Sequence, residues 1–256
     1  MTPRRPDAAH PPGAGAAEVP DAFQRRMRRL LGDAEAERLL RALAAPPARG
    51  LRVHPGRAER ARLAELTGWR LEPLPWTPHA AVLDAGGEAP GRHPLHEAGA
   101  FYLQDPSATV PAAALAVVPG ERVIDLAAAP GGKATQLACD LRGEGLLVAN
   151  DVAAARLPAL ARNLERFGVR NAVVTQEPPA ALARRWPGAF DAVLLDAPCS
   201  GEGMFRKSEA ALRDWSEDAV RACAGRQADL LDAAADLLAP GGRLAYATCT
   251  FAVSYT

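Results

Sequence analysis

The chain has 256 residues, enough for one large domain or a medium one with an extension. Its 48% hydrophobic and 23% charged content is that of a soluble globular protein, and 30 basic residues balance 30 acidic ones. No apolar run approaches the roughly 20 residues that span a bilayer, and zero net charge gives no global field to announce a nucleic-acid partner.

Residues 1–20, MTPRRPDAAHPPGAGAAEVP, are rich in Pro, Ala and Gly and lack the apolar core of a signal peptide. They read as a disordered tail on a cytoplasmic protein. The four cysteines, Cys139, Cys199, Cys223 and Cys249, lie far apart and form no CxxC pair, which argues against a zinc site and against a disulfide framework. Residues 1–70 carry 14 Arg against 8 acidic residues, an excess that a GC-rich genome also produces.

DAFQRRMRRLLG (21–32) reads as a helix with Asp21 as its cap and Gly32 at its end. DAEAERLLRALAA (33–45) reads as a second, with Leu39, Leu40 and Leu43 on one face. LRVHPG (51–56) is a short strand and turn, and RAERARLAELTG (57–68) a third helix. These pieces, with a Pro- and Gly-rich stretch over 69–105, make a small α+β domain over 21–105. From about residue 106 the pattern becomes regular. A helix over 106–117 precedes the strand ERVIDL, and GGKATQLACDL is a helix followed by the strand GLLVAND. A helix over 155–167 tolerates Pro158 only in its first turn. NAVVT and FDAVLLD are strands around the short helix PAALARR. A long helix, SEDAVRACAGRQADLLDAAADLLA, leads to the last strand, GGRLAYATC. This alternation implies an α/β fold, a mostly parallel sheet with helices on both faces.

VIDLAAAPGGKATQLA (123–138) is a strand, a glycine turn and a helix, a place where ligands of open α/β sheets bind. It is neither GxGxxG nor GxxxxGK[ST], so a dinucleotide fingerprint and a P-loop are both disfavoured, and an ordinary strand–helix turn is an equal reading. Asp151, at the end of the next strand, suits a ribose diol; taken alone it is a helix cap. Together they favour an adenosyl ligand. In FDAVLLDAPCSGEGMFRK (190–207) an apolar run stops at Asp196, and Cys199 follows; Cys249 ends the last strand. If the two strands are neighbours, both thiols lie on the ligand rim. Cysteine is often only a small buried hydrophobe, the reading that fits Cys139 and Cys223 inside helices.

PGERVIDLAAAPGGKATQLA, LLDAPCSGEGMFRK and LAYATCTF resemble three successive motifs of the Fmu/Sun family of S-adenosylmethionine-dependent RNA cytosine-5 methyltransferases, in its bacterial 16S rRNA branch. HPLHEAGAFYLQDPSA resembles the segment before that family's catalytic domain. The resemblance implies a Rossmann-like methyltransferase sheet over 106–256, behind an RNA-binding type of domain over 21–105. It implies that Cys249 attacks carbon 6 of a cytosine and that Cys199 assists the later elimination. It implies that Ala127, Ala128, Ala129, Pro130, Gly131, Gly132 and Lys133 wrap the methionine and ribose of S-adenosylmethionine, with Asp151 on the ribose.

Asp196 is expected to hold the base at N3 or its amino group, partly neutral, and to border the cofactor. The Pro198 carbonyl is expected to accept from the cytosine amino group. Pro178 stands where relatives carry an acid near the adenine, and Gln176 is the candidate substitute. Arg206 and Lys207 are candidate phosphate contacts, each also readable as a solvated surface charge. No metal and no membrane partner are expected. His54, His79, His93 and His96 are read as packing residues. After TCTF the family continues with a Pro-Glu-Glu-Asn-Glu stretch and a further strand, whereas this chain reads AVSYT and stops. The expectation is a poorly supported Cys249 loop and weak or absent activity. A methyltransferase working without a covalent nucleophile and a non-catalytic RNA-binding protein remain the alternatives.

Overall fold

The computed structural model describes residues 19–251. The tail expected to be disordered, Val19 and Pro20 apart, and the closing AVSYT lie outside them. Helix α1 (Asp21–Leu31) turns Phe23 and Met27, one helical turn apart, to the same buried face. Asp21 is its first helical residue and not its cap, which is Pro20. Its carboxylate instead meets the positive end of the helix dipole. Gly32, with φ of +77°, ends α1 by donating to the Arg28 carbonyl, and α2 (Asp33–Ala44) folds back along it.

β1 (Gly50–Val53), α3 (Arg60–Thr67), β2 (Arg70–Pro73), β3 (Ala80–Asp84), α4 (Pro94–Glu97) and β4 (Phe101–Leu103) follow. α3 starts later than expected because residues 55–57 form a turn. The four strands form an antiparallel sheet in the order β2-β3-β1-β4. Three of them fall in the Pro- and Gly-rich 69–105 stretch, where strands of three to five residues are too short for alternation to stand out.

A 3-10 turn (Pro106–Thr109) leads into α5 (Val110–Leu115). Then come β5 (Arg122–Asp125), α6 (Gly132–Leu141), β6 (Leu146–Asn150), α7 (Leu157–Arg166), β7 (Ala172–Thr175), α8 (Pro179–Arg185) and β8 (Phe190–Asp196). α9 (Glu209–Asp214), α10 (Glu217–Leu237) and β9 (Leu238–Ala247) complete the set. β5 to β9 are all parallel in the order β7-β6-β5-β8-β9. Adjacent strand residues serve opposite faces: Val123, Leu147 and Leu194 pack under α6 and α7, while Ile124, Val148 and Val193 pack under α8 and α10. The chain winds outward from β5 to β7 and then crosses to β8. That places the topological switch, where such sheets bind ligands, between the carboxyl ends of β5 and β8.

Arg52 of β1, only 1% exposed, locks the two sheets together. It donates to Thr135 Oγ1 at 2.6 Å and to the Gly132 carbonyl at 3.3 Å, with its guanidinium 5.3 Å from the Phe167 ring centre. Among the described residues no helix is long and apolar enough to cross a membrane.

Candidate active site

β8 and β9 are neighbours and run in register to Asp196 and Ala247. Cys199 and Cys249 lie just past those ends, and their sulfurs stand 3.2 Å apart, both free thiols. β9 stops before Thr248, so Cys249 sits in the loop and not on the strand. The contact between the sulfurs pulls Cys199 down to about 7, and the same contact, aided by burial, pushes Cys249 up. The two share protons as a unit: the first leaves easily because the remaining S–H donates to the thiolate, and the second is held.

The loop that was expected to be poorly supported is held from the β8 side. Gly203 N–H donates to the Cys249 carbonyl at 2.7 Å, and a Cβ at position 203 would lie 2.7 Å from that oxygen. Only glycine allows this approach. Glu202 is fully buried and accepts from Trp215 Nε1 at 2.8 Å and from Ser200 Oγ at 2.9 Å. The Ser200 and Thr250 hydroxyls are 3.2 Å apart. Phe23 of α1 packs edge-on against Phe205 and Trp215, so the N-terminal helices buttress the same loop.

Across the switch, Gly131 takes φ of +112°, and α6 opens without a side-chain cap, which leaves first-turn N–H groups facing the loop. Lys133 Nζ, its side chain 16% exposed, donates to Asp196 Oδ2 at 2.6 Å. Asp125, at the end of β5, is buried and accepts from Ala127 N–H at 3.3 Å. Burial raises its carboxyl to about 7 against the opposing pull of Lys133. A cavity of about 220 Å³ opens here, lined by Gln104, Asp125, Lys133, Asp196 and the Ala127–Pro130 run. Among the described residues no cluster of His, Cys, Asp and Glu could hold a metal ion.

Asp151 lies behind the loop, 2% exposed. It accepts from Ala129 N–H at 3.2 Å and Ala153 N–H at 3.0 Å, and pairs with Arg156 at 3.1 Å. Its turn-capping role and its proximity to the loop coexist. Gln176 is exposed beyond β7; the neighbouring Glu177 backbone is bonded by Asn150, whose side chain also reaches the Leu126 carbonyl and spaces the ends of β5, β6 and β7. The Pro198 carbonyl, expected to accept from the cytosine amino group, accepts from Gln227 Nε2 at 2.8 Å. Lys207 is not a solvated charge: it pairs with Asp105, which lies past β4 and caps the 3-10 turn over 106–109. Arg206 is half-buried with its Nε unpartnered among the described residues. His93 caps α4, and His54 bonds the Phe167 carbonyl, both structural uses.

A larger cavity, about 490 Å³, lies between α1, α2 and Phe251; it is apolar and touches neither thiol nor the glycine loop. Sequence reasoning missed Asp125, Arg52, Glu202, Asn150 and Gln104. Asp125 was discoverable as the acid directly before the glycine loop. The others owe their roles to long-range contacts that no local pattern records.

Two family models match: "16S rRNA methyltransferase RsmB/F" over residues 112–256, and "N-terminal domain of 16S rRNA methyltransferase RsmF" over residues 19–106. Ribosomal RNA small subunit methyltransferase F of Vibrio parahaemolyticus is 39% identical, covering 91% of this chain and 50% of its own length. The Escherichia coli protein of that name is 38% identical, with 90% and 50% covered. The chain thus spans about half the length of these curated relatives. A solved methyltransferase homolog protein from Pyrococcus horikoshii superimposes with a TM-score of 0.80 at 31% identity, covering 92% of this chain and 75% of that one.

Proposed function

Since the chain belongs to the 16S rRNA methyltransferase RsmB/F family, we propose that it methylates carbon 5 of a cytosine in ribosomal RNA through a covalent bond from Cys249 to carbon 6. The observation that carries this reading is the pair of sulfurs 3.2 Å apart at the ends of β8 and β9, beside the Lys133–Asp196 pair. A methyltransferase that needs no nucleophile has no use for two adjacent thiols.

S-adenosylmethionine is the cofactor of this reading. The residues present fit it: the cavity is lined by the glycine loop, and α6 offers an uncapped first turn. When bound it supplies an electrophilic methyl group. Ala127 to Lys133 would wrap its methionine and ribose side. Asp151 would take the ribose hydroxyls with the oxygen that now meets Arg156, which would have to yield. Gln176 remains the proposed adenine-side contact.

Carbon 5 of cytosine is a weak nucleophile until carbon 6 is attacked. The pair loses its first proton near neutral pH and the two sulfurs share the one that remains, so a shift of that proton across the 3.2 Å contact leaves Cys199 as thiol and Cys249 as the thiolate, a minor form that attack on the ring draws off. Cys249 then adds to carbon 6, and the ring electrons move to carbon 5. After methylation a base removes the carbon-5 proton, the C5–H electron pair re-forms the C5–C6 double bond, and the S–C6 pair leaves with sulfur, returning the Cys249 thiolate. Cys199, after passing its proton to water, is the base placed for that step, and the proton it collects from carbon 5 is the one left over when the Cys249 thiolate returns. The Lys133–Asp196 pair holds a proton that can be presented to N3 of the ring. The Pro198 carbonyl keeps a second lone pair for the amino group. The base must be flipped out or single-stranded to enter. Arg206, and in the N-terminal domain the arginines of α1, are the proposed phosphate contacts; Lys207 joins them only if its Asp105 pair opens. The cytoplasm is the compartment this reading calls for.

The test uses RNA containing 5-fluorocytidine with S-adenosylmethionine. Fluorine at carbon 5 blocks elimination, so a denaturant-stable adduct should form, vanish in Cys249→Ala and persist in Cys199→Ala. RNA binding without any adduct in the unaltered chain would favour a non-catalytic role.

A further inference from the structure

Gln104 carries the polar group that the site leaves over. Its Oε1 and Nε2 are both buried, and neither has a hydrogen-bond partner among the described residues. Other buried amides are at least half used: Gln227 donates to Pro198 and accepts from Tyr246, Asn150 bonds Leu126, Thr175 and Glu177, and Gln136 donates to the Thr109 carbonyl although its Oε1 is unpartnered among the described residues. An unpaired buried amide lowers stability and calls for an explanation.

The surroundings of Gln104 supply one. The residue follows β4, so it comes from the N-terminal sheet, yet it lines the cavity before the glycine loop with Asp125, Lys133 and Asp196. Its Oε1 lies 3.8 Å from where a Cβ on Gly132 would stand, so the amide sits against the first turn of α6. That turn has no side-chain cap. Asp125 presents a carboxyl to the same cavity. The end of the cavity therefore combines a neutral donor and acceptor, free helix N–H groups and an acid. This set matches an α-amino acid zwitterion: Asp125 and Gln104 Oε1 suit the ammonium, and Gln104 Nε2 with the α6 N–H groups suits the carboxylate. Neither Cys199 nor Cys249 lines this cavity, which sets the amide on the cofactor side and not against the pyrimidine.

We infer that Gln104 positions the cofactor by binding the ammonium and carboxylate of its methionine moiety. The inference rests on the S-adenosylmethionine reading above. It makes the N-terminal sheet a contributor to the cofactor site, not only to RNA contacts.

The test compares two ligands by calorimetry: S-adenosylhomocysteine, which has the amino-acid end, and 5′-methylthioadenosine, which lacks it. Gln104→Leu should weaken S-adenosylhomocysteine tenfold or more, the loss expected for charge-assisted hydrogen bonds, and leave methylthioadenosine within about twofold. Without ligand the same variant should melt about 2–4 °C higher, because an orphaned amide is replaced by hydrocarbon. Equal loss of both ligands, unchanged binding of S-adenosylhomocysteine, or a lower melting temperature would each overturn the inference. Failure of the unaltered chain to bind either ligand would remove the cofactor reading itself, and Gln104 with it.

Discussion

Replacing Cys249 with alanine removes the donor that holds Cys199 at about 7, and the consequence can be worked through before any catalysis is measured. At pH 7 a thiol of pKa 7 is half ionised, whereas an ordinary one near 8.5 is about 3% ionised, roughly 15-fold less. A thiolate of higher pKa is intrinsically more reactive, by about fivefold for 1.5 units at a Brønsted slope near 0.45. The two effects oppose each other. Cys199 in Cys249→Ala should react with iodoacetamide about threefold more slowly at pH 7 and about fivefold faster at pH 10. The decisive quantity is therefore the midpoint of the rate–pH curve, read by mass spectrometry of the Cys199 peptide from pH 5.5 to 10. It should move from about 7 to 8.5 or above. Cys249→Ser keeps a donor and should hold the midpoint below 8, roughly. A midpoint that stays near 7 in the alanine variant would show that the sulfur–sulfur contact is not what lowers Cys199.

Asp125 gives a pH dependence of opposite origin. Its native carboxyl titrates at about 7 and an unfolded one at about 3.9, so its stabilisation is whole below pH 4 and lost as pH rises through 7. Asp125→Asn should gain on the unaltered chain from about pH 4 to 7, by at most about 4 kcal/mol, and then level off; a flat difference in urea unfolding across pH would contradict this. Gly203→Ala, whose Cβ would meet the Cys249 carbonyl at 2.7 Å, should part the thiols and raise the Cys199 midpoint without unfolding the chain; an unchanged alkylation profile would mean the loop absorbs the methyl group. Arg52→Met leaves Thr135 and the Gly132 carbonyl without their guanidinium and should cost about 2–4 kcal/mol, a fall of roughly 5–12 °C in melting temperature. A change under about 2 °C would mean that the cost of burying the charge cancels its bonds.

The parallel sheet was legible because its strands are long apolar runs separated by amphipathic helices, and because the stops at Asp125, Asp151 and Asp196 are abrupt. The thiol pair was legible once two such strands were taken as neighbours, which the β8–β9 register bears out. The N-terminal sheet was not: β2, β3 and β4 are short and lie among prolines and glycines. Arg52 was hidden for a different reason. An arginine in a four-residue strand reads as an exposed edge charge, and only the packing of Phe167 and Thr135 around it, far along the chain, makes it the largest fully buried side chain. Pro198 and Lys207 each have a partner that no local pattern records, Gln227 and Asp105, both distant in sequence.

The chain contains two lysines, Lys133 and Lys207, and both are ion-paired, Lys133 to Asp196 in the cavity before the glycine loop and Lys207 to Asp105 just past β4. Every other basic side chain except histidine is an arginine, inert to amine-directed reagents. Coupling this protein to a sensor chip or a fluorophore through primary amines, the N-terminal one aside, therefore means breaking an ion pair inside that cavity or the one that ties Lys207 to the N-terminal domain. Labels aimed at a neutral handle would have to go elsewhere, and the extent of acylation at position 133 becomes a direct gauge of how open that cavity is in solution.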